Sequence, residues 1–119
     1  SIKEQTDHRK RRNLLLSLSE QIEEFFAKDP DSESVFRSFS FWAKLAGVSR
    51  FEVRINNKIV SQSGVEDPLH RILSFRQGSC AMLLALDESS LTIDSDFKGN
   101  LLESVSMALM RRLEQLHLS

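Results

Sequence analysis

The chain of 119 residues has a single cysteine, Cys80, which leaves no internal disulfide framework and no thiolate zinc cluster. Histidine is nearly as scarce: His8, His70 and His117 are scattered and make no catalytic or metal-binding constellation. Long apolar runs are missing too. Leu14 to Leu16 and Ala81 to Leu86, the longest, fall well short of the roughly 18 residues a membrane span requires. Among eighteen serines there is no nucleophile elbow, and no Glu-x-x-His follows Glu20, Glu23 and Glu24. The sequence therefore reads as non-catalytic, without metal or cofactor. A chain that is 40% apolar and 28% charged, with net charge -1, is too apolar for global disorder and has the length of one domain with a modest core. It starts at Ser1 rather than Met and its positive charge is concentrated at one end, which reads as a fragment of a longer parent.

That charge is unevenly placed. Residues 1–12 carry five basic side chains against Glu4 and Asp7, net +3, whereas residues 13–34 carry six acidic side chains against Lys28, net -5. The run Arg9, Lys10, Arg11, Arg12 reads first as a solvated helix start, and second as a contact for anionic lipid headgroups or phosphates. Overall neutrality argues against a dedicated nucleic-acid binder, so no specific nucleic acid is expected. On the cytoplasmic side of a membrane anchor in the parent, a basic run of this kind would be in place.

Between Glu4 and Lys28 there is neither proline nor glycine, and Leu15, Leu18, Ile22 and Phe25 recur at spacings of three and four, the seam of an amphipathic helix. Asp29-Pro30-Asp31 breaks it and opens a second helix, residues 31–46, whose broad face holds Val35, Phe36, Phe39, Trp42, Ala43 and Ala46 and reads as core packing. Gly47 is placed for a left-handed cap. The period then changes to two. Phe51, Val53 and Ile55 alternate with Arg50, Glu52 and Arg54, Asn56-Asn57 suits a tight turn, and a second strand follows over 58–63, its register left open because Ile59 and Val60 are both apolar. After a connection at 64–69, a third strand spans 70–77 and Gly78-Ser79 turns it into Ala81 to Leu86. That pairing sets Phe75 against Met82 and Leu73 against Leu84. The last of these strands is apolar on both faces, as expected of a central strand covered on both sides. A polar turn at 87–94 leads to a terminal helix from about Ser95, a candidate N-cap, with apolar residues spaced by three and four from Leu102 to Leu116. The fold class is α+β, a four-stranded antiparallel sheet flanked by helices, divided into a helix at 1–28 and a domain at 29–119.

Two stretches resemble a GAF domain, the small-molecule sensor and dimerisation module of bacterial signalling proteins. The first is ESVFRSFSFWAKLAGVS with RFEVRI and KIVSQSG; the second is CAMLLALD with Asp96-Phe97 and LLESVSMALMRRLEQLHL. They cover about two thirds of the chain, all at fold positions. The lid segment of that family is abridged here to Val65 to Leu69, and it contains no cysteine for covalent chromophore attachment.

The resemblance implies a cytoplasmic signal-transduction module that dimerises and relays a conformational signal to an output domain of the same parent, of the histidine kinase or diguanylate cyclase type. The expected homodimer seam is Leu15, Leu18 and Ile22 with Leu102, Val105, Leu109, Leu113 and Leu116. An alternative is a small-molecule sensor with a cavity lined by Phe51, Val53, Phe75, Met82 and Leu84, and a third reading is a membrane-surface or nucleic-acid contact through Arg9 to Arg12.

Overall fold

The computed structural model describes residues 2–65, 71–87 and 95–118, apart from the side chains of His8, Ser95 and Leu118. Helix α1 runs Ile2–Lys28 and α2 Ser32–Leu45; strands β1 (Val48–Ile55), β2 (Lys58–Gly64), β3 (Arg71–Gln77) and β4 (Cys80–Leu86) follow, then α3 (Ser95–Leu118). The break between the first two helices lies where Pro30 demands it. Asp31 caps α2 by accepting a 2.8 Å hydrogen bond from the Ser34 amide, and that bond holds its carboxyl below the ordinary carboxylate value. Gly47 ends the helical run at φ 79°, as expected of a left-handed cap.

The strands form one antiparallel sheet in the order β2-β1-β4-β3. Asn56 and Asn57 both take positive φ, 51° and 67°, the requirement of a two-residue turn that follows the sheet twist. Phe75 pairs with Met82 and Leu73 with Leu84, as the Gly78-Ser79 turn predicts. The open register of the first hairpin has a physical reason: the pairing shifts between Val53 and Arg54, so Ile59 and Val60 do not alternate cleanly, and both remain exposed.

Phe51, Val53 and Ile55 of β1 and Cys80, Met82, Leu84 and Leu86 of β4 point to one face, and all are buried. On that face α2 lies against β1 and α3 against β3 and β4. Phe39 meets Phe51 edge to face at 5.1 Å between ring centroids. Helix α1 lies over α2 and α3 as a further layer. Its buried stripe is Leu15, Ser19, Ile22 and Phe26, all packed in the same core as the sheet residues except the polar Ser19. The serine is there for a reason. Its hydroxyl donates to the Leu15 carbonyl at 2.6 Å and accepts from the Trp42 indole Nε1 at 2.9 Å, so the one buried tryptophan has its N–H satisfied.

The second face of β4 departs from expectation. β4 is central, but the described helices lie on the other side, and Ala81 and Leu83 are only half-buried. Ala85, on the same face, is buried at 2% exposure.

Ser19→Ala is expected to leave the indole N–H buried and unpaired, lowering stability by about 1 to 3 kcal/mol. Phe39→Ala, which removes a fully buried ring, is expected to cost about 3 to 5 kcal/mol. Urea denaturation followed by tryptophan fluorescence measures both.

Candidate functional site

The two long helices are set side by side. The Arg12 guanidinium lies 4.3 Å from the centroid of the Phe97 ring near the start of α3. At the far end, Arg112 Nη2 donates to the Asp29 carbonyl at 2.9 Å. The start of α3 meets the middle of α1 and its later turns meet the end of α1, so α1 and α3 run parallel within one chain. The residues expected to join two copies lie in the core of the single chain. Leu15, Ile22, Leu102, Val105, Leu109 and Leu113 are 0 to 5% exposed inside the single chain, and Leu18 and Leu116 are half-buried against the same core. A heptad-like spacing demands a partner helix without specifying whose, and here the chain supplies its own.

Ahead of Leu15, α1 stands clear of the core: every described side chain from Ile2 to Leu14 is exposed. Arg9, Lys10, Arg11 and Arg12 therefore sit on a projecting helical segment, with Arg12 at its root over Phe97. At the opposite end of α3, the tips of both hairpins crowd against the helix. Ile55, Asn56, Ser79, Glu114 and His117 line one pocket there, and a Cβ placed on Gly78 would collide with the Glu114 carboxylate. The Asn56 amide donates to the Ser79 carbonyl at 3.0 Å, tying the two tips together.

The residues expected to line a cavity, Phe51, Val53, Phe75, Met82 and Leu84, have side chains on the helix-packed face. There Phe51, Val53, Met82 and Leu84 are buried in the core beneath α2 and α3, with Phe75 half-buried at the edge strand. Among the described residues, a groove of about 310 Å³ opens on the other face, over Ala81 and Leu83 and between Glu52, Arg54, Ser74 and Arg76. Phe75 and Met82 border it too, although strand alternation turns their side chains away. Glu52 is held there by Arg54 at 2.9 Å and Arg50 at 3.9 Å, and at 9% exposure it is buried despite lying on the helix-free face. Alternation alone marks Glu52 as a surface residue; the two flanking arginines are the only sequence signal of its ion-paired state.

Cys80 is 1% exposed and its thiol approaches the Met110 carbonyl at 3.9 Å. Burial, and after it the charge of Glu114, raise its pKa above the ordinary value, which disfavours the reactive thiolate. Lys98, at 3% exposure, is pushed below its ordinary pKa by burial, with the charge of Asp87 opposing the shift. His70, the 66–69 part of the expected connection and most of the polar turn at 87–94 lie outside the described residues. Among the described residues, no three His, Cys, Asp or Glu side chains are grouped to hold a metal ion, and no helix is long and apolar enough to cross a membrane.

Native protein treated with a thiol-specific reagent such as Ellman's reagent is expected to leave Cys80 unmodified for as long as it stays folded, with full modification in denaturant. Rapid labelling of the native protein would contradict the burial. The comparisons with known proteins add no identity to this geometry: no protein-family model, no curated protein and no solved structure matches the chain.

Proposed function

We propose that the chain is a non-catalytic relay module, an abridged GAF-like domain that acts as a homodimer and transmits a change in helix position to an output domain of its parent. The observation that carries this reading is the parallel pairing of α1 and α3. Their free ends lie at opposite poles of a body 51 Å long. Motion imposed on the projecting start of α1 passes along a packed helix pair to the end of α3. The hairpin tips bear on α3 at that end, so the sheet has a direct grip on the same element through Gly78 and Glu114. Supported motions of this kind are small shifts of one packed helix along another. Kinase and cyclase outputs that work as pairs are the class such a module would serve.

A second reading, a small-molecule sensor, draws on the groove over Ala81 and Leu83. At about 310 Å³ it lies at the lower end of ligand-pocket volumes, and its arginines favour an anionic ligand. Such a ligand would act on the sheet rather than on the helix bundle, which makes the two readings compatible.

The relay is tested with spin labels at the exposed positions Asn57, on the hairpin tip, and Gln115, near the end of α3. A rigid helix is fused to Ile2 in two phases that differ by one residue, a rotation of about 100°. The distance between the labels within one chain is expected to differ between the two phases by about 2 Å or more, the scale of helix shifts in switching proteins. Identical distances would overturn the relay.

A further inference from the structure

The hairpin of α1 and α2 carries an open apolar groove of about 380 Å³. Its floor is Leu18, Ile22 and Trp42, and its walls include Phe25 and Phe41. These two rings are 51% and 65% exposed, and Leu14 and Leu45, about half exposed, extend the strip along both helices. Single exposed apolar side chains are ordinary on a surface. Two phenylalanines and two leucines in line along one helical hairpin are the mark of an interaction surface.

We propose that the occupant of this groove is the same hairpin of a second copy of the chain, related by a two-fold axis parallel to the helices. The proposal rests on the dimeric relay reading and deepens it by locating the contact. Two features select a second copy. The strip is self-complementary, with projecting rings beside a groove of ring size, as an isologous interface requires of one patch. The charges agree as well. Trp42 lies opposite Ser19, so five residues further along the antiparallel pair Glu24 is level with Arg37. Among the described residues neither forms an ion pair within the chain: Arg37 donates to the Ser34 hydroxyl at 3.4 Å, and its charge also acts on Asp31. A two-fold axis along the helices preserves level, which sets Glu24 of each copy at the height of Arg37 of the other. In this arrangement both α3 helices finish at the same pole.

The test is the mass in solution by light scattering and sedimentation equilibrium, from about 1 to about 200 µM, the concentration range of a modest protein interface. Wild type is expected at about twice the 13.6 kDa of one chain at the upper end. Phe41→Glu, at an exposed position that the fold does not need, is expected to give monomers with an unchanged circular dichroism spectrum. Arg37→Glu and Glu24→Arg, each alone, are expected to weaken association about tenfold or more, and the double swap to restore it. A monomeric wild type throughout this range, or a Phe41→Glu variant that remains dimeric, would overturn the proposal. Failure of the double swap to rescue would overturn the arrangement of the two copies. A monomeric wild type that binds an acidic amphipathic peptide would assign the groove to a foreign helix instead. The relay is read from a distance inside one chain, so its failure and the failure of this interface are separate results.

Discussion

The hydrogen bond from the Trp42 indole to the Ser19 hydroxyl sets the arrangement on which the rest depends. Tryptophan is the largest side chain of α2, and burying it without a partner for Nε1 would forfeit much of what the burial contributes. Ser19 supplies that partner from α1 and, by occupying the middle of its buried stripe, fixes which face of α1 turns inward. Leu15, Ile22 and Phe26 then face the core, and Phe25 and Leu14 are left outside. Rotated by one residue, the same helix would bury Leu14, Leu18 and Phe25, leave the indole unpaired and close the groove. A single buried polar contact thus decides both the packing of the third layer and the surface it leaves open.

The sheet is likewise asymmetric in its two faces. One is filled by aromatic and aliphatic side chains meeting α2 and α3; the other has a floor of alanine and leucine walled by charged residues. Glu52 lies at the centre of that second face, buried between its two arginine partners. The helix face therefore supplies rigidity, while the other keeps the polar variety that recognition requires. Both faces converge on α3, one through direct packing and the other through the hairpin turns at its end.

Much of this was legible in the sequence because local rules and tertiary demand agree. Asn56-Asn57 and Gly78-Ser79 each specify their turn, and the second places Phe75 against Met82 with no further information. The same logic stops at β2, where the shift between Val53 and Arg54 breaks the alternation that register reading needs. The spacing of α1 and α3 predicts correctly that both want an apolar partner. It is silent on whether that partner is a copy or the other end of the chain, because knobs and holes look alike in both cases. Ser19 was invisible as a core residue, since its burial makes sense only once Trp42 is known to face it. Phe41 was missed for the complementary reason: it lies off the main stripe of α2, and its message is carried by exposure rather than by period. An aromatic residue outside an otherwise complete amphipathic face is the signal that points to it.

The first turns of α1 have no floor beneath them, and that exposes them to the thermodynamics of an isolated helix. A segment of this length is too short to hold helical structure alone in water, and it persists by propagation from the packed turns behind it, with an equilibrium constant of order one per residue. Four cations from Arg9 to Arg12 fall within little more than one turn, where like charges three residues apart oppose one another. Counter-charge at that run would favour the helical form of the projecting segment, and added positive charge would oppose it.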